Sequence, residues 1–191
     1  EASVPFMHFF DGFRTSHEIQ KVEVMDYEDL RDMLNWDAVG HFKQNAMNPE
    51  RPKQRGIVQN PDTYFQSREA VNVFYDRIPE IVETYMHKVN ELKGTNYKLF
   101  NYYGADDAEY VIVGMGSVSG LVQDTVDKLN AAGEKTGYLQ VHLYRPFSKK
   151  HFLDELPKTV KRIAVIDRTK EPGGREPLYL DVSGALNGVK D

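Results

Sequence analysis

The spacing of apolar positions changes near the middle of this chain, from isolated runs to alternating strand-like and helix-like segments. At the start, Val4 to Asp11 reads VPFMHFFD, a β-prone aromatic run closed by the turn signal Asp11-Gly12. Flanked by Pro5 and Gly12, it is expected to be one buried strand of a larger sheet. After Phe13 to Val24, the pattern predicts an acidic helix over about Asp26 to Asp37. Asp26 is placed to cap it, with Asp29 as a weaker stand-in for the capping-box acid. Leu30, Met33 and Leu34 form its apolar stripe. His41 to Arg68 contains Pro49, Pro52 and Pro61 among Asn and Gln, and is predicted to be an extended connector. A stretch of that length without regular structure packs over a neighbour or belongs to an interface.

Val71 to Leu92 carries the clearest helical pattern. Phe74, Ile78, Ile81, Val82, Tyr85, Met86, Val89 and Leu92 recur at steps of three and four and make one broad apolar face. Pro79 suits the first turn or a kink, and Gly94 the C-terminal stop. From Glu109 the order becomes strand, helix, strand, helix, strand. Tyr110–Met115 is a continuous apolar run, as in a strand covered on both faces. Ser117 to Ala132 is a helix with Leu121, Val122, Val126 and Leu129 inward and Gly133 as its stop. Gly137–Leu143 and Arg162–Asp167 are the next strands, separated by a short helix at His151–Leu156. Pro177 to Leu186 fits a helix or a strand, with Tyr179, Val182 and Leu186 favouring the helix. This order predicts a three-layer α/β fold with a parallel, or mostly parallel, sheet and right-handed crossovers. The expected division is a preceding domain's tail over 1–24, a helical and extended connector over 25–109, and the α/β domain over 110–191.

Charge sharpens that division. Between Glu18 and Asp37 there are seven acids and two bases, while His41 to Arg68 has five bases against Glu50 and Asp62. The net charge of −5 argues against nucleic-acid or anionic-membrane partners. No apolar run approaches the roughly 18 residues of a membrane span. The opening Glu1-Ala2-Ser3 has no secretory pattern, and the missing initiator Met with a buried-looking start predicts an excised piece. Cysteine is absent, which excludes disulfides, thiolate nucleophiles and cysteine-held iron–sulfur clusters from this stretch and fits a reducing compartment.

Two loops carry the candidate chemistry. Gly114-Met115-Gly116-Ser117 ends a strand and opens a helix, so its amides and the positive helix end face any nearby anion. The third glycine, Gly120, is one place late for the dinucleotide fingerprint. The plainer reading is a tight turn with Ser117 as helix cap. Asp167 to Gly173 follows the last strand at the sheet edge where ligands of open α/β sheets collect. Arg168 and Lys170 there suit a phosphate or carboxylate, or else Arg168 pairs with Glu171 or with another domain. Gly114, Gly116, Ser117, Arg168 and Lys170 are therefore weak anion-site candidates. His8, His17, His41, His87, His142 and His151 lack metal-ligand spacing and read as structural. There is no G-x-S-x-G elbow or P-loop, and Ser117 and Ser119 have no recognisable base, so no catalytic or metal residue is assigned. The aromatics Tyr97, Phe100, Tyr102 and Tyr103 are read as packing of the connector against the sheet rather than as a ligand platform.

Taken in order, several longer stretches resemble one family. HFFDGFRTSHEI (His8–Ile19), HFKQNAMNPERP (His41–Pro52), QNPDTYFQSREA (Gln59–Ala70), YRPFS (Tyr144–Ser148), IAVIDRTKEPG (Ile163–Gly173) and EPLYLDV (Glu176–Val182) look like the pyruvate:ferredoxin (flavodoxin) oxidoreductases. The resemblance covers nearly the whole chain and implies a large cytoplasmic parent enzyme, a homodimer. Such a parent oxidatively decarboxylates pyruvate with thiamine diphosphate, Mg and coenzyme A, and passes electrons through iron–sulfur clusters to ferredoxin or flavodoxin. It implies that Glu1 to about Val24 ends the thiamine-dependent N-terminal domain, and that the second domain is like the C-terminal domain of transketolase. The Gly-Met-Gly-Ser turn and Arg145-Pro146-Phe147 are shared with that wider group. No catalytic residue of the family maps onto this stretch, and no cofactor is expected to be held by it alone. The loop Pro172–Glu176 is slightly shorter than the family's turn. The chain also stops at Asp191, before the last strands expected of the full second domain, leaving a sheet edge exposed or paired. The expected role is to scaffold contacts among domains of the parent. The alternatives are a module binding phosphate or coenzyme A, and the same domain of an oxidoreductase for another 2-oxoacid.

Overall fold

The computed structural model describes residues 1–189. The first half is an arm of short helices: α1 (Arg14–His17), α2 (Tyr27–Met33), α3 (Trp36–Gln44), α4 (Pro61–Glu69) and α5 (Asn72–Tyr75). Among the described residues, none in these five helices is buried. Val4–Asp11 is irregular rather than the expected strand. A β-prone run needs a partner strand for its amides and carbonyls, and no described residue provides a ladder here. The predicted acidic helix breaks after Met33, and α3 starts anew where the Asn35 side chain accepts from the Ala38 N–H at 3.0 Å. Asp26 holds the cap position of α2, but its side chain makes no capping bond among the described residues. The connector over 41–68 is also more ordered than expected: Pro61 opens α4, serving as a first-turn residue rather than a breaker.

The long helix predicted over 71–92 is interrupted. α5 stops at Tyr75 and α6 (Ile78–Lys93) starts two residues on, with Pro79 in its first turn and Gly94 closing it. A proline ring clashes with the carbonyl four residues earlier, which here belongs to Tyr75, so the break falls where the ring dictates. The inward face of α6 is as predicted in its first half, where Ile78 is buried and Ile81, Val82 and Met86 pack against the core, whereas Leu92, and Phe74 in α5, are exposed.

Downstream lie β1 (Phe100–Gly104), β2 (Tyr110–Gly114), α7 (Val118–Ala131), β3 (Thr136–Val141), α8 (Lys149–Glu155), β4 (Arg162–Val165) and α9 (Pro177–Leu186). Among the described residues the strands form one sheet in the order β1-β3-β2-β4. β2, β3 and β4 are parallel, and β1 is antiparallel at the edge. The fold is α/β with a mostly parallel sheet. β1 is the strand the sequence hid: its Phe-Asn-Tyr-Tyr-Gly was read as packing aromatics, yet it pairs with β3 from Phe100↔Val141 to Gly104↔Gly137.

The two sheet faces follow the strand period of two. Tyr138 and Ile112 point toward α7, where they meet Val118, Val122 and Val126. Val111, Val113, Leu139 and Val141 point the other way, into a larger core shared with α6, α8 and α9. Phe152 of α8 is its centre, with Phe100 and Phe147 ring centroids 5.7 and 5.5 Å away. The Phe100 ring meets Phe152 edge-on, a geometry that adds roughly 0.5–1.5 kcal/mol beyond area burial. One glycine is demanded by close approach: Tyr102 of β1 lies across Gly137 of β3 and donates its hydroxyl to the Ala105 carbonyl at 2.5 Å.

Candidate functional site

In a parallel sheet, loops leaving adjacent strands emerge at one edge. The turn after β2 and the loop after β4 therefore meet, since those strands are neighbours. Gly114 is buried against Tyr138, and Gly116 turns the chain at φ 77° into α7. A positive φ at that value disfavours any side chain. Ser117 stands at the cap position in a helical conformation, with no side-chain capping bond among the described residues. Ser119 instead steadies the turn, donating its hydroxyl to the Gly116 carbonyl at 2.8 Å.

A third segment, absent from the sequence reading, enters here. Asp11 brings its carboxylate to the turn from the far end of the chain. Its Oδ2 accepts the Ser117 N–H at 2.8 Å, and its Oδ1 lies 3.2 Å from Nη1 of Arg168. The Asp11 side chain is 19% exposed and that of Arg168 69%. An exposed ion pair contributes about 0–1 kcal/mol, whereas a hydrogen bond to a charged group contributes about 1.5–3 kcal/mol, so the Ser117 bond dominates. Hydrogen bonding from Ser117, then the Arg168 charge, hold the Asp11 carboxyl below its ordinary value against the opposing effect of burial.

The candidate residues thus separate. Gly116, Ser117 and Arg168 converge, but around a carboxylate of the chain itself; Gly114 lies beneath them in the sheet. Lys170 turns away to Glu176 at 3.2 Å. Arg168 pairs with Asp11 rather than with Glu171. Asp167 fastens the rest of the loop, accepting from the Thr169 N–H at 3.0 Å and from the Leu178 N–H at 3.1 Å. The only sequence signal for Asp11 was the Asp-Gly pair, which marks a turn and says nothing of a partner 106 residues away.

Other concave surfaces carry less chemistry. A mainly apolar groove of about 800 Å³ runs between the arm and α6, lined by Val4, Phe6, Ile81, Tyr85 and Met86. His142 on its rim is tied through Nδ1 to the Lys98 carbonyl at 2.8 Å. His151 meets the Ser148 hydroxyl at 2.6 Å, as a helix-end contact of α8. Among the described residues no group of three or more His, Cys, Asp or Glu side chains converges as a metal site. Nor is any described helix long and apolar enough to cross a membrane.

The architecture defines an α/β domain with a mostly parallel sheet, with the Asp11 carboxylate of an N-terminal arm bonded to the turn after β2. Comparison with known proteins makes the assignment specific. The family model described as pyruvate flavodoxin/ferredoxin oxidoreductase, thiamine diP-bdg, matches residues 1–87, and that of pyruvate:ferredoxin oxidoreductase core domain II matches 108–191. A pyruvate-flavodoxin oxidoreductase of Enterobacter agglomerans is 63% identical over 184 residues, 96% of this chain. That of Klebsiella pneumoniae is 61% identical over the same length. A pyruvate:ferredoxin oxidoreductase of Moorella thermoacetica is 57% identical over 187 residues, 97% of this chain. The chain belongs to the pyruvate:ferredoxin/flavodoxin oxidoreductase family, and it spans 16% of the length of these relatives. Among solved structures, a 2-oxoglutarate:ferredoxin oxidoreductase from Magnetococcus marinus, with 2-oxoglutarate, coenzyme A and succinyl-CoA bound, matches 61% of this chain and 20% of its own. The identity is 18% and the TM-score 0.38.

Thiamine diphosphate requires oxygen ligands for its Mg and free donors for its phosphates. At the turn after β2, the Ser117 N–H that could serve a phosphate is already taken by Asp11. Iron–sulfur clusters require thiolates, and this stretch has no cysteine.

Proposed function

We propose that this chain is an internal stretch of a pyruvate:ferredoxin/flavodoxin oxidoreductase that scaffolds contacts among the parent's domains. In this reading residues 1–24 end the thiamine-dependent domain, 25–109 connect, and 110–191 begin a domain like the C-terminal domain of transketolase. The parent oxidatively decarboxylates pyruvate to acetyl-CoA and delivers electrons to ferredoxin or flavodoxin. Other segments supply thiamine diphosphate with Mg, the iron–sulfur clusters and the coenzyme A site, and the parent works as a cytoplasmic homodimer.

The observation that carries the scaffolding role is the arm's surface. Met7, Phe13, Ile19, Tyr27 and Val58 are each more than 70% exposed. Solitary exposed apolar residues are ordinary, but a segment that displays its large hydrophobics throughout is suited to burial against further protein. Isothermal titration of the 191-residue chain with coenzyme A and, separately, with thiamine diphosphate tests this reading. Silence at millimolar ligand is expected. Saturable heat with coenzyme A would favour a phosphate-binding module instead.

A further inference from the structure

We propose that Asp11 is a positioning residue, a helix cap supplied from 106 residues away that locks the N-terminal arm to the α/β domain. The inference concerns the chain's own architecture and is independent of the parent's chemistry.

A helix leaves its first amides without partners, and a side chain at the cap ordinarily accepts one of them from an extended backbone. At α7 that device is missing among the described residues: Ser117 has φ −66° and ψ −14° and makes no capping bond. Its own N–H is instead taken by Asp11 Oδ2. Gly116 makes room for this, because a Cβ there would sit 3.0 Å from the same oxygen. The second carboxylate oxygen reaches Arg168 in the loop after β4. One side chain therefore ties three segments: the arm, the start of α7, and the loop that leads to α9.

The arm has few other holds in this region. Pro5 to Phe10 are exposed, as are Gly12's neighbours beyond the clasp, and Phe13 is 86% exposed. Other anchors flank it: at the extreme start Ala2 is buried and Glu1 accepts the Tyr85 hydroxyl at 2.9 Å, and further along Glu23 pairs with Lys93 of α6 at 2.8 Å. Between those anchors Phe6, Phe9 and Phe10 are each more than half exposed, with Phe6 lining the groove against α6, so they hold the arm weakly. Asp11 alone among residues 5–13 is partly buried. Arg168 and the amino end of α7 are the charged and dipolar groups that face it, and both favour the carboxylate form.

The test uses chymotryptic cleavage at the exposed phenylalanines of the arm in the full chain, with the wild type, Asp11→Asn and Asp11→Ala. Asparagine caps a helix about as well as aspartate, so Asp11→Asn keeps the amide bond and loses the ion pair. Cleavage is expected to be slowest in the wild type, slightly faster in Asp11→Asn, and faster by about fivefold in Asp11→Ala. Equal rates in all three chains would overturn the proposal. A measurement that needs no variant accompanies it: the hydrogen-exchange protection of the Ser117 amide in the wild-type chain. Protection at pH 7 is expected, and it should weaken as the carboxyl is protonated and the bond loses its charge assistance. A Ser117 amide that exchanges at the unprotected rate at pH 7 would refute the clasp whether or not the variants fold.

Discussion

Replacing Gly137 by alanine places the added methyl group against Tyr102, and the structure sets the size of the effect. A Cβ at position 137 would stand 2.2 Å from the Tyr102 hydroxyl oxygen and 2.7 Å from two ring carbons, where real contacts are essentially never below 3.0 Å. Something in the strand pair must shift to relieve the clash. Gly137 is buried in β3 and paired with Gly104, while Tyr102 is held by its bond to the Ala105 carbonyl and by pairing with Leu139. Relief requires the ring to swing off that carbonyl, costing about 1 kcal/mol for the lost hydrogen bond. Overpacking of the strand pair adds about 1–3 kcal/mol. The expected loss is therefore about 2–4 kcal/mol, with a fall in melting temperature of roughly 4–16 °C for a chain of this size. Thermal unfolding followed by circular dichroism reads it directly. Tyr102→Leu in the Gly137→Ala background should recover part of the loss, since neighbouring sites couple. A Gly137→Ala chain within about 0.5 kcal/mol of the wild type would show that β1 does not pair with β3 as described.

Phe152→Ala removes the ring at the centre of the larger core and should cost about 3–5 kcal/mol, read from the urea midpoint. Tyr102 is pushed up to about 12 by burial and then by Asp106 and Asp107, and burial also raises Tyr138, so ultraviolet titration should show a late-ionising group of tyrosines that loses one member in Tyr102→Phe. Because the neutral form of Tyr102 is favoured in the fold, stability should be complete below the ordinary tyrosine pKa of about 10 and should decline as pH rises from there toward 12. For Asp11 the sign is opposite: its pKa is depressed, so the clasp is fully stabilising above the ordinary aspartate value of about 3.9 and is lost as pH falls through the lower folded value. Arm proteolysis by an acid-active protease should accelerate only below that range, and acceleration near pH 6 would point to a different group.

The legible parts of the sequence were those where local pattern and tertiary need coincide. The apolar run at 110–115 and the Gly94 stop became β2 and a helix end because each was set by nearby residues, whereas of the expected α7 stripe only Val122 and Val126 are buried, Leu121 being 69% and Leu129 39% exposed. β1 was hidden because Phe100–Gly104 is an edge strand, whose Tyr103 faces outward to Asp127 and blurs the alternation. Val4–Asp11 misled in the opposite direction: it has strand propensity, but propensity yields no ladder without a partner. Pro61 and Pro79 were both visible, yet only the position of each within its helix decides whether it starts a helix or divides one. At the candidate site, Gly116, Ser117 and Arg168 stood out as anion-accepting types. Their occupant did not, because pairing Asp11 with Ser117 is a property of the folded chain and leaves no mark in local spacing.

The most direct measurement is the mass of the polypeptide that carries this sequence in its native cells, obtained by immunopurification with an antibody raised against residues 110–189. A chain roughly six times the 22.0 kDa of this stretch is expected, since the stretch spans 16% of its relatives, and it should bear iron–sulfur clusters. A 22.0 kDa product that by itself oxidises pyruvate with added thiamine diphosphate and coenzyme A would contradict the scaffolding role outright.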